Sequence, residues 1–177
     1  MIPGQLPAQG LYDPRNEHDS CGVGFIVDLK GRKSHQLVRD GLTALSNLNH
    51  RGACGCENNT GDGAGLLIQI PHDFLVSRCA PLGIDLPEPE HYGVGAFFTS
   101  RESTQQTFGK ALFERIVVDE GQTLLGWRMI ETDASSLGES ARLVEPLMWH
   151  AIVGRGTNLK TAEAFERKLY VIRKRFE

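Results

Sequence analysis

The sequence predicts a mixed α and β fold, and three observations carry that prediction. Apolar residues recur at helical spacing in three stretches, near 35–49, 103–115 and 161–177. Five short runs rich in β-branched, aromatic and leucine residues, at 21–29, 66–70, 91–100, 123–132 and 146–154, lie between and around them. Glycine is 20 of 177 residues, about 11% against an ordinary ~7%, as expected of a chain with many tight turns and close backbone approaches. The length fits one ordinary domain, and 40% hydrophobic with 23% charged residues is enough for a core and too apolar for wholesale disorder.

The elements follow in order. Residues 1–20, with three prolines, two glycines and no periodicity, read as an extended leader. CGVGFIVDL (21–29) reads as a strand and LKGRKS as the turn after it. Leu37, Val38, Leu42, Leu45 and Leu48 then share one helical face, with Ser34 placed as the N-cap. RGACGCENNTGDGAG (51–65) is a glycine-dense loop, and LLIQI (66–70) a short buried-type strand stopped by Pro71. A short helix over 72–79 and a proline-rich connection over 80–90 lead into a strand at 91–100. Phe108, Leu112 and Ile116 mark the next helix, and TLLGWRMIET and PLMWHAIVG two further strands. In the last segment Ala162, Phe165, Leu169, Ile172 and Phe176 form the apolar face of a helix whose Arg and Lys residues at 167, 168 and 173–175 read as a solvated face. This helix runs to Glu177 with no C-cap glycine, so a longer natural polypeptide is expected.

Composition excludes several classes. A net charge of −3 argues against a nucleic-acid footprint, and 7% aromatic residues supply little for base stacking. No apolar run approaches the ~18 residues of a membrane span, and the first twenty residues lack the apolar core of an export signal. Four cysteines (21, 54, 56 and 79) without an export signal imply free thiols in a reducing, cytoplasmic setting.

Cys21 stands where the leader ends, followed by Gly22 and Gly24. It is either a small buried hydrophobe or, if residues 1–20 are removed, a nucleophile with its own base. The freed α-amine would titrate at roughly 7.7–8.0 beside a thiol at about 8.5, placing attacker and proton acceptor in one residue. The glycines at 61, 63 and 65 do not make a nucleotide loop: the spacing is GxGxG, they precede a strand, and no GK[ST] is present. They fit better as a backbone wall beside a small polar ligand. Arg51 either holds a carboxylate bidentately or ties the helix end to the loop. Cys54-Gly55-Cys56, with His50 and Glu57 near, is too tightly spaced for structural zinc and lacks a second ligand pair. Histidines 18, 35, 72, 91 and 150 show no metal-binding spacing, so no metal is expected.

Four blocks together, YDP at 12–14, DSCGVGFIVD at 19–28, LNHRGA at 48–53 and TGDGAGLLIQIP at 60–71, resemble the N-terminal glutaminase domain of glutamate synthase large subunits, a class II glutamine amidotransferase. The similarity runs from about residue 12 to the end and is least diagnostic in its later part. The resemblance implies an α+β fold of the N-terminal-nucleophile hydrolase type, a four-layer αββα sandwich of antiparallel sheets, incomplete in this chain. It implies a propeptide over residues 1–20, an amidotransferase portion over 21–177, and Cys21 as the catalytic nucleophile acting on L-glutamine. Arg51 and Gly52 match the family's HRG block and take a substrate-binding, site-shaping role, with Asp62 a further polar contact. No cofactor is expected in this chain; FMN and an iron–sulfur cluster belong to downstream synthase domains of the same polypeptide. A small electron-transfer subunit or ferredoxin is the implied partner. The family's later arginine block and Asn-Gly oxyanion pair have no counterpart here, so residues 1–177 alone are expected to be inactive and short of strands. Another class II amidotransferase, or a non-catalytic thiol or interaction domain, are the competing readings.

Overall fold

A computed structural model describes residues 7–16, 21–49, 52, 57, 59–61 and 63–177. The chain divides into two units, one of residues 1–69 and 134–144, the other of 70–133 and 145–177.

The second unit is built on a three-stranded antiparallel sheet: β1 (Tyr92–Thr99), β2 (Thr123–Met129) and β3 (Leu147–Gly154), in the order β1-β3-β2. β3 is central because it is apolar on both faces. Alternation sends Ala151 and Val153 to one face and Ile152 to the other, and all three are buried. β1 pairs with it from Tyr92 opposite Gly154 to Thr99 opposite Leu147. The register with β2 slips between Leu124 and Gly126, and this bulge brings Leu124 and Trp127, three residues apart, to the same face.

Two helices cover the Ala151 face. α3 (Ser103–Asp119) joins β1 to β2, and α5 (Ala162–Phe176) follows β3. Phe113, Ile116, Val117, Phe165 and Ile172 form the buried core with Ala151 and Val153. Phe97, Phe113, Trp127 and Phe176 meet edge to face, with ring centroids 4.6–5.6 Å apart. Gly93 is required there, since a Cβ on it would overlap Leu169 of α5. The Ile152 face is covered by α2 (His72–Cys79) and the connection after it, through Leu75, Cys79, Ile84 and Tyr92. Burial pushes the Cys79 thiol and the Tyr92 phenol up from their ordinary values.

α3 runs past the expected end at 115, because Ile116 and Val117 continue its buried stripe. The cations of α5 do more than face water. Lys168 and Arg175 pair with Glu120 at 2.6 and 2.8 Å, and Arg175 also reaches Asp119.

In the first unit, α1 (His35–Asn47) begins where expected, with Ser34 Oγ accepting the Leu37 N–H at 3.3 Å. The turn before it closes on Asp28, whose carboxylate accepts the Lys30 N–H and the Arg32 guanidinium, with Gly31 at a φ of +67°. A six-residue helix, α4 (Glu139–Val144), was not legible in the sequence, being shorter than two turns and without an apolar stripe. The leader shows a Gln9–Tyr12 bridge and a 3-10 turn at Pro14–Asn16.

Two expected strands, 21–29 and 66–70, join no ladder among the described residues. Val23, Phe25, Leu29 and Leu67 are 90–99% exposed. Composition encodes a tendency to be buried in a sheet, but a strand forms only where another strand supplies its hydrogen bonds.

Candidate active site

Of the site candidates read from the sequence, Cys21 and Gly52 are described, and both belong to the first unit, which also holds α1. α1 closes at Leu48, whose N–H is shared between the Ala44 and Leu45 carbonyls, and the chain turns at once, the Gly52 N–H donating to Asn49 O at 3.2 Å. The segment that starts at Cys21 passes this turn. The α-carbon of Gly22 faces Leu48, and a Cβ there would lie 3.1–3.2 Å from both Leu48 methyls. A Cβ at position 22 would require the Leu48 side chain to give by a few tenths of an ångström. A second close approach, Gly41 under Leu66, lays the segment after the glycine loop along the same helix. α1 is thus the common support of both extended segments.

Cys21 is exposed, so the reading of it as a small buried hydrophobe fails; Cys79 is the buried thiol. Gly52 is also exposed. Arg51 and Asp62 lie outside the described residues, as do His18, His50, Cys54 and Cys56. The structure therefore brings Cys21–Gly22 to the helix end that leads into the Arg51–Gly52 block, and describes no contact of Arg51 or Asp62.

Between that block and the TGDGAG run, Glu57 is held on three sides. Its Oε2 accepts the Thr60 hydroxyl at 2.7 Å and the Ser140 hydroxyl at 2.9 Å, and its Oε1 accepts the Ser140 N–H at 3.2 Å. These donors, the Thr60 hydroxyl first, hold the carboxyl below the usual glutamate range. Asn59 Nδ2 donates to Ser136 O at 3.1 Å. None of these partners is near Glu57 or Asn59 in sequence except Thr60, and no periodicity or motif signals them.

The remaining histidines are dispersed. His72 Nδ1 meets the Tyr92 hydroxyl at 3.0 Å, His91 Nδ1 the Pro89 carbonyl, and His150 Nδ1 the Arg128 guanidinium. Among the described residues no three His, Cys, Asp or Glu side chains cluster as metal ligands, and no helix is long and apolar enough to cross a membrane.

Comparison with known proteins shows the family. The family model of class II glutamine amidotransferases matches residues 21–177, beginning at Cys21 itself. The chain is 44% identical to the glutamate synthase (NADPH) large chain of Bacillus subtilis, across all of this chain and 12% of that protein. It is 38% identical to the glutamate synthase (NADH) of Schizosaccharomyces pombe, across 97% of this chain and 8% of the relative. With the ferredoxin-dependent glutamate synthase 2 of Arabidopsis thaliana it shares 36% identity, across 94% and 10%. The chain thus spans about a tenth of the length of the relatives it matches.

Proposed function

The chain belongs to the class II glutamine amidotransferases, and from that premise we propose that it is the glutamine-hydrolysing portion of a glutamate synthase. The observation that carries the proposal is the position of Cys21. It is the first residue of the family match, it is exposed, and its neighbour Gly22 rests on the helix end that leads into Arg51 and Gly52.

In this reading residues 1–20 are a propeptide and Cys21 is the first residue of the mature chain. Its freed α-amine accepts the thiol proton as sulfur attacks the side-chain amide carbon of glutamine. The tetrahedral intermediate collapses, the C–N bond breaks, and the same amine returns the proton to the departing ammonia. Water, deprotonated by the α-amine, then cleaves the γ-glutamyl thioester, releasing glutamate and restoring the thiol. Arg51 and Gly52 support and shape the substrate site beside the thiol, and Asp62 adds a polar contact. The finer fold proposed is the αββα sandwich. The exposed apolar side chains of 21–29 and 66–70, Val23, Phe25, Leu29 and Leu67 above all, support it, since they are what strands show when their own sheet is not present.

Synthesis of glutamate from the released ammonia and 2-oxoglutarate is the proposed activity of the whole protein, with downstream synthase domains in the same polypeptide. FMN and an iron–sulfur cluster are proposed for those domains. No step above uses either group. The relatives' names divide between NADPH, NADH and ferredoxin, so the electron donor is left open.

The test is N-terminal sequencing and glutaminase assay of the whole natural polypeptide. A mature chain starting at Cys21 is expected, and Cys21→Ala is expected to lower glutamine hydrolysis by roughly 10³-fold or more, as loss of a covalent nucleophile does. A mature protein that keeps residues 1–20 and still hydrolyses glutamine would overturn the mechanism.

A further inference from the structure

Residues 53–59 join the Arg51–Gly52 block to the TGDGAG run. Glu57 is one of them. Both of its oxygens are engaged, and two of the three donors come from Ser140, 83 residues away in the chain. Asn59 adds a fourth link, to the Ser136 carbonyl. The facing segment is shaped to receive them: a Cβ at Gly138 would overlap Glu57 Oε2 and would come within 2.6 Å of Thr60 Oγ1 and 2.9 Å of Asn59 Oδ1.

We propose that Glu57, clamped by Ser140 and Thr60 over Gly138, is a positioning residue of the glutamine site, anchoring the chain between Gly52 and the TGDGAG run at Glu57–Thr60. The inference rests on the function proposed above. Two other roles fit the geometry less well. A carboxylate whose oxygens already accept three hydrogen bonds is a poor metal ligand for Cys54 and Cys56. It is also a poor proton carrier, since the same donors keep it ionised. What such a clamp does well is hold one loop conformation, and a displacement of ~1 Å at a substrate-binding group can cost about 10²-fold.

The experiment uses the whole natural polypeptide and two electrophiles. 6-Diazo-5-oxo-L-norleucine has the shape of glutamine and labels the nucleophile only through the substrate site; iodoacetamide needs only the thiol. In Glu57→Gln the amide turns donors toward Thr60 and Ser140. KM for glutamine is expected to rise roughly 10- to 100-fold with a smaller change in kcat. Labelling of Cys21 by the diazo reagent should slow in parallel while its labelling by iodoacetamide stays at the wild-type rate. Ser140→Ala, a milder change, should shift both readouts in the same direction. Adding it to Glu57→Gln should cost less than the sum of the two, since they act through one network. Unchanged KM and diazo labelling in both variants would overturn the inference. So would iodoacetamide labelling that changes together with the diazo reagent, which marks general loosening. Wild-type protein that the diazo reagent does not label at Cys21 would instead refute the proposed function, and this inference with it.

Discussion

Glu120 ends α3 within reach of two cations of α5, Lys168 Nζ at 2.6 Å and Arg175 NH1 at 2.8 Å. Hydrogen bonds from Lys168 first and Arg175 second hold its carboxyl below the ordinary 4.5. A carboxyl whose folded pKa is depressed adds stability that is fully present above the unfolded pKa and is lost as pH falls through the folded one. The melting temperature of the protein is therefore expected to fall as pH drops from about 5 into the acid range, and Glu120→Gln to flatten that fall. An equal acid slope in the variant would show that other carboxyls carry it. At this scale the sequence revealed some residues and hid others. Cys21 stands out in the sequence because it belongs to a recognisable block and glycines follow it, and the structure adds only that it is exposed. Glu57 was noticed only as a neighbour of two cysteines, since its value lies in Ser140 and Gly138, which no local pattern connects to it.

The longer helices were the most readable elements, because a period of 3.6 is written locally in each of them. α5 shows why. Thr161 Oγ1 accepts the Ala164 N–H at 3.1 Å, Glu163 lies in the first turn, and Arg173, Lys174 and Arg175 lie in the last, each matching the sign of the helix dipole at its end. Thr161→Ala is expected to lower stability by about 1 kcal/mol, measured by chemical denaturation followed by far-UV circular dichroism. No change in the midpoint would mean that packing of Phe165 and Ile172 fixes the helix start without the cap. Strands were legible in part. β1, β2 and β3 are strands because β3 supplies both neighbours with a ladder. Segments 21–29 and 66–70 have equally strand-like residues and no ladder among the described residues, because pairing is a long-range property that composition does not carry. α4 escaped notice for the opposite reason: it is too short for any period to show.

For the whole molecule, two exposures matter. The first unit carries extended apolar segments with Val23, Phe25 and Leu67 bare to solvent. The second has β1 as an outer strand, beside an apolar cleft lined by Gly95, Phe97, Leu169, Tyr170 and Phe176. Bare strand edges and apolar runs of this kind invite pairing with other chains. A polypeptide limited to residues 1–177 is therefore expected to self-associate, as judged by size-exclusion chromatography with light scattering. A monodisperse monomer at micromolar concentration would show that these surfaces find cover within the chain itself. The relatives offer far more chain than this, the present sequence matching 12% and 8% of the two described above.

The aromatic cluster has an optical consequence. The two tryptophans of the chain, Trp127 and Trp149, both belong to the sheet unit, Trp127 against Phe97 and Phe113 and Trp149 beneath the Lys110 ammonium at 3.0 Å. Their intrinsic fluorescence reports on the packing of that unit, and the unit that carries Cys21 has no such emitter. Units of one chain can open with different free energies. A fluorescence melt can therefore appear fully native while the surroundings of Cys21 have already come apart, and a reporter placed in the first unit is needed to see it.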